Sequence, residues 1–148
     1  MENKELKVLI FNINGQYYAA DIMEVERILG YEEPTKLPDS PDFVEGVINY
    51  QGNIISIISL TKRFKIQSNL NTSEAKIIVT KQDENKIGII VDLVSEVKDI
   101  NVDDIEDPPE IAAGISKRYL KGLIKLKDKI IILLNLGTIL TKEEKELI

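Results

Sequence analysis

Carboxylates are the only side chains here whose number and spacing suggest chemistry. The run Asp99–Glu110 holds Asp103, Asp104, Glu106 and Asp107, hard oxygen donors of the kind that bind calcium or magnesium. The Asp-x-Asp-x-Asp-Gly order of a calcium loop is missing. A solvated loop is therefore expected there, and no metal site. Asp21 and Asp92 stand near the ends of two apolar runs. Two carboxylates flanking a scissile bond serve as acid and base in glycoside hydrolysis, but at strand ends such residues more often close turns or cap short helices. The second role is the one expected.

The remaining composition narrows the chemistry further. The 148 residues include no His and no Cys, which removes Cys/His zinc sites, thiol nucleophiles, disulfides and triads built on histidine. No G-x-G-x-x-G or G-x-x-x-x-G-K-[ST] run offers a phosphate cradle. No cofactor is expected, and no enzyme. The net charge is −6, with 25 acidic against 19 basic residues, a poor balance for binding a phosphate backbone. Lys62-Arg63 and Lys117-Arg118 are isolated basic pairs, expected as surface charge. No apolar run reaches the roughly 18 residues of a membrane span, and the charged start Met1–Glu5 does not read as a signal peptide. A cytoplasmic, single-domain chain is expected.

The elements that must position any site are short and β-rich. Ile/Val-rich runs separated by polar turns predict strands at Lys7–Ile13, Gln16–Ile22, Val44–Tyr50, Ile54–Leu60, Lys76–Thr80, Lys86–Val91, Gly122–Leu126 and Ile130–Leu136. Asn14-Gly15 is a strong hairpin signal. Ile22, Val25 and Ile28 recur at a spacing of three, which predicts a helical turn leading into a strand that ends near Tyr31. Val94, Val97 and Ile100 carry a second such set. Pro34, Pro38 and Pro41 make 32–42 a loop, and Pro108-Pro109 mark a second. Thr141 followed by Glu144 predicts a capped C-terminal helix over 142–148.

The two halves repeat. Gly46–Leu60 aligns without gaps onto Gly122–Leu136, and Ile22, Val25 and Ile28 align with Val91, Val94 and Val97. Five strands per half are too few for a flat sheet to bury both faces, but enough to curl into a small barrel. The expectation is an all-β chain of two similar five-stranded barrels sharing an interface, one over 7–66 and one over 76–141. With no chemistry to invoke, the functional candidate is a groove between them. Val25 and Val94, as repeat equivalents, would face a partner helix there.

The run Phe43-Val44-Glu45-Gly46-Val47-Ile48-Asn49-Tyr50-Gln51-Gly52-Asn53-Ile54-Ile55 closely resembles the F-V-x-G-V-I-N-L-R-G-x-I-I signature of CheW-type chemotaxis coupling proteins. Tyr18 and Asp21 match that family's Y-x-x-D-I strand, Leu37-Pro38 and Pro41 its proline loop, and Gly88–Val97 its G-I-V-V-D-x-V-x-E-V block. The resemblance implies SH3-like barrels and a non-catalytic adaptor. Such an adaptor bridges methyl-accepting chemotaxis receptors to the regulatory domain of the histidine kinase CheA and is recruited to membrane-bound receptor arrays. It implies receptor-facing positions at Val25, Gly46, Gln51, Val94 and Gly122, and kinase contacts on barrel edges that carry no compact motif.

Three departures stand out. Gln51 replaces the family's Arg, Arg27 stands where its Glu partner is usual, and Ser56-Ile57-Ile58-Ser59-Leu60 lacks the Pro and Asp of P-V-I-D-L. A hydrogen bond between Arg27 and Gln51 is expected in place of the family's ion pair. The readings from other classes are a two-barrel ligand- or nucleic-acid-binding protein and a carboxylate hydrolase.

Overall fold

The computed structural model describes residues 4–65, 73–81, 86–108, 119–140 and 144. The hairpin β1 (Glu5–Ile13) and β2 (Gln16–Asp21) leads through a 3₁₀ turn at Ile22–Glu24 into β3 (Val25–Gly30). A second hairpin, β4 (Val44–Tyr50) and β5 (Asn53–Ser59), runs into the one-turn helix α1 (Leu60–Arg63). Then follow β6 (Lys76–Thr80), β7 (Ile87–Val91), β8 (Leu93–Asn101), a 3₁₀ turn at Val102–Asp104 and β9 (Ile105–Glu106). The hairpin β10 (Leu120–Leu126) and β11 (Lys129–Leu134) ends in a 3₁₀ turn at Leu136–Thr138. Asn14 and Gly15 take φ of 52° and 83°, and Gln51 and Gly52 take 51° and 84°, the paired left-handed conformations of tight hairpins. Val94, Val97 and Ile100 lie on a strand, so their threefold spacing misled; the helical turn comes afterwards, at Val102–Asp104. The expected helix at 142–148 and its cap Thr141 lie outside the described residues except for Glu144.

The strands form two sheets, ordered β8-β1-β2-β11-β10-β9 and β3-β6-β7-β5-β4. Neither ladder closes on itself, so the two closed five-stranded barrels of the sequence reading give way to one six-stranded and one five-stranded open sheet. Nor does either sheet correspond to residues 7–66 or 76–141. The first hairpin of each half sits in the sheet of the other half: β2 pairs in parallel with β11 (Ala19 beside Leu133), and β7 with β5 (Gly88 beside Ile57).

The repeat survives this exchange position by position. Val25 pairs with Thr80 next to a bulge, and Val94 pairs with Phe11 next to another. Gly46 pairs with Ile57 and Gly122 with Leu133, again each at a bulge.

Burial on both faces explains why the exchanged hairpins are so apolar. Along β1, Leu9, Phe11 and Ile13 enter a central cluster shared by both sheets, while Val8 and Ile10 enter a second cluster with Ala19, Ile124, Ile131 and Leu133. Along β6, Ile78 enters the central cluster, and Ile77 and Val79 enter a third with Ile48, Tyr50, Ile55 and Ile57. One apolar cluster therefore joins the sheets and one lies on the far face of each.

Candidate functional site

The carboxylates are occupied with structure. Asp21 accepts the N–H of Met23 at 2.9 Å and caps the 3₁₀ turn. Asp92 accepts the N–H of Asn14 at 2.7 Å and fastens the first hairpin turn. In the acidic stretch, Asp99 lies 3.8 Å from Lys7, and Glu106 lies 3.2 Å from Lys125. Among the described residues no group of three or more carboxylates converges as a metal site would require. Lys62 and Arg63 are not idle surface charge. Lys62 pairs with Glu45 at 2.8 Å, and that hydrogen bond holds the ammonium above its ordinary pKa. Arg63 binds both carboxylate oxygens of Glu144 and donates Nε to the carbonyl of Ile139, with its guanidinium over the rings of Phe43 and Tyr119. Lys117-Arg118 lie outside the described residues.

Val25 and Val94 are half-buried and both pack against the central cluster, one from each sheet. Strand register adds two residues that the motif reading missed. Ile28 pairs with Ile78 and Val97 with Leu9, and both of those partners point into the central cluster. On the same side of their strands, Ile28 and Val97 remain 39% and 50% exposed. Their signal was present in the threefold spacing, but it belonged to a bulged strand.

Gly46 and Gly122 lie on β4 and β10, away from β3 and β8 in the strand order of their sheets. A Cβ on Gly46 would fall 2.3 Å from the Thr35 carbonyl oxygen, and one on Gly122 would fall 2.4 Å from Ile105 Cγ2. Each glycine lets the chain that follows β3 or β8 cross its own sheet: Thr35 bridges Val47, and β9 pairs with Leu123 and Ile124. Gln51 lies exposed in its hairpin turn.

No hydrogen bond or ion pair joins Arg27 to Gln51. The neighbouring Glu26 makes the contact instead, accepting from Tyr50 Oη at 2.7 Å and from Lys86 Nζ at 2.6 Å. The bulge between Val25 and Arg27 is the reason, because it adds a residue and aims Glu26 at Tyr50. The hydrogen bond from Lys86, then that from Tyr50, lowers the carboxyl pKa of Glu26. The same contact raises that of Tyr50.

A cavity of about 300 Å³ opens at the ends of β1, β3, β5 and β7, lined among others by Ile13, Tyr31, Glu45, Ser59, Lys62 and Asp92. Ser59 Oγ accepts the N–H of Lys62 at 3.2 Å and lies 2.9 Å from Thr61 Oγ1. Neither partner is a base of the kind that activates a hydroxyl as a nucleophile. Its role is to cap α1, as Asn135 caps the turn at Leu136–Thr138 in the other half. The serine standing where the resembled family has Asp thus keeps a capping oxygen.

The CheW-like domain family matches residues 7–144. The chain is 34% identical to the chemotaxis protein CheW of Klebsiella aerogenes over 140 residues, covering 95% of this chain and 84% of that protein. It is 33% identical to the chemotaxis protein CheW of Thermotoga maritima, covering 93% and 89%. The crystal structure of the scaffolding protein TtCheW from Thermoanaerobacter tengcongensis superposes with a TM-score of 0.81 at 35% identity, covering 90% of each chain. With nearly all its length matched in this way, the chain belongs to the CheW-like family of chemotaxis scaffold proteins.

Proposed function

We propose that the chain couples the cytoplasmic tips of methyl-accepting chemoreceptors to the histidine kinase CheA, joining both at membrane-bound arrays without catalysing a reaction. The observation that carries this reading is the placement of Val25 and Val94 at equivalent bulges against one shared cluster. With Ile28 and Val97 beside them, they offer apolar surface where an amphipathic receptor helix would lie. Gly46, Gly122 and the exposed turn residue Gln51 are further receptor-facing positions on this reading. Each sheet, with its edges brought round by the Thr35 bridge or by β9, wraps its own apolar cluster in the manner of a small SH3-like barrel. The like-folded regulatory domain of the kinase would meet edges of these two units.

Val25→Asp tests the reading. Burying a valine at an interface contributes on the order of 1–2 kcal/mol from area alone, and a charge stranded in a desolvated contact costs more. The variant should bind a receptor cytoplasmic fragment at least about tenfold more weakly, with only a modest change in its thermal midpoint. Val79→Asp, in the fully buried third cluster, should instead fail to fold. A stable Val25→Asp protein with unchanged affinity would remove Val25 from the receptor site.

A further inference from the structure

β8 is a nine-residue edge strand. β1 occupies one side of it, and among the described residues no backbone hydrogen bond reaches Leu93–Asn101 on the other. All its residues except Val94 and Ile100 are exposed. A long free edge with unpaired N–H and C=O groups is a template for another strand. Its sequence, Leu93-Val94-Ser95-Glu96-Val97-Lys98-Asp99-Ile100-Asn101, has Val97 at its centre with opposite charges one step to either side. Among the described residues neither Glu96 nor Lys98 has an ion-pair partner.

We propose that β8 pairs antiparallel with β8 of a second copy about a two-fold axis at Val97, so that two six-stranded sheets become one. In that register Val97 faces its counterpart, and Glu96 faces Lys98 twice. Opposite charges across a strand pair favour pairing, and like charges oppose it. The adjacent registers are worse. Centring on Glu96 or Lys98 sets like charges face to face, and moving halfway toward Lys98 places Glu96 against Asp99. Moving halfway the other way sets Val94 against Asp99 and leaves Glu96 facing Val97. The edge β3 has no such symmetry, since centring on Ile28 puts Arg27 against Leu29. The bulge at Ser95 confines the regular ladder to the stretch around Val97, so the dimer is a weak, concentration-dependent one.

Sedimentation equilibrium over a wide concentration series should show a monomer–dimer equilibrium. Glu96→Lys or Lys98→Glu alone should weaken it at least about tenfold, and the two together should restore it. The chain has no Cys, so Val97→Cys gives a clean second readout, since symmetry brings the two thiols within disulfide reach. It should cross-link under mild oxidation, whereas Ile28→Cys, on the exposed counterpart strand, should not. A monomer at every concentration, a dimer indifferent to both reversals, a double variant that stays weakened, a Val97→Cys protein that does not cross-link, or equal cross-linking of the two cysteine variants would each overturn the proposal.

Discussion

The two sheets solve the same problem of closure by different means. In the six-stranded sheet, β9 lays two residues along β10, with Glu106 beside Leu123 and Ile105 beside Ile124, and Ile105 packs into the second cluster. In the five-stranded sheet the corresponding contact shrinks to one bridge, Thr35 with Val47. Pro34 precedes that bridge and has no N–H to extend it. The shortfall is met by side chains, as Glu26 on edge strand β3 takes the hydroxyl of Tyr50 on edge strand β4 and the ammonium of Lys86. The equivalent of Glu26 by the repeat offset is Ser95, which makes no such contact among the described residues. One sheet is thus closed by a two-residue ladder, the other by a single bridge reinforced by a charged network.

Breaking the crossing beneath each sheet should give the largest effect. Gly46 has φ +147° and meets backbone atoms of Thr35, so Gly46→Ala combines strain with a backbone collision. The expected loss is about 3 kcal/mol or more. Gly122→Ala meets Ile105 Cγ2 and the Glu106 carbonyl oxygen but carries no left-handed strain, and should lose about 1–3 kcal/mol. Urea denaturation of the two variants measures the gap. Equal losses would show that the bridge at Thr35 is no more rigid than β9.

A second, smaller contrast concerns the interiors. Gly88 and Ala19 are equivalent, but a Cβ on Gly88 would lie 2.7 Å from Ile57 Cδ1 and 2.8 Å from Ile77 Cγ2. Gly88→Ala should therefore destabilise by about 1–3 kcal/mol. Ala19→Gly, which removes a buried methyl and frees the backbone, should destabilise by about 1–2 kcal/mol. A stabilising Gly88→Ala would mean that the third cluster is loosely filled.

The smallest effect should be the most diagnostic. The carboxyl of Glu26 is held low in the fold, so its contribution to stability is present above the unfolded carboxylate range and is lost as pH falls through the depressed folded value. Glu26→Gln should unfold earlier than the parent near neutral pH, and the two melting curves should converge in acid. Ser95→Ala, at the equivalent place in the other sheet, should show no pH-dependent difference. Parallel melting curves for Glu26→Gln and parent at every pH would remove the network from the closure.

Much of this was legible in the sequence. The repeat, the hairpin turns and the boundaries of β4 and β6 follow from alternation and turn chemistry, and Val25 and Gly46 were matched correctly to Val94 and Gly122. The exchange of hairpins was not legible. Runs such as Lys7–Ile13 announce burial on both faces, but nothing in them says which neighbours do the burying. Glu26 was invisible for a different reason: a single glutamate in a strand reads as solvated charge until a bulge turns it toward Tyr50. The pairing of Arg27 with Gln51 failed on that same bulge.

The exchanged hairpins also govern how the chain must be made. Ala19 finds its neighbour only when Leu133 arrives, and Val8 finds Lys98. At roughly 5–20 residues per second, a nascent β1–β2 hairpin waits several seconds off the ribosome, apolar on both faces and with neither neighbouring strand. Contacts this distant in sequence also slow folding. Neither half is a self-sufficient folding unit, so cutting the chain between α1 and β6 should yield two fragments that fold only by finding each other.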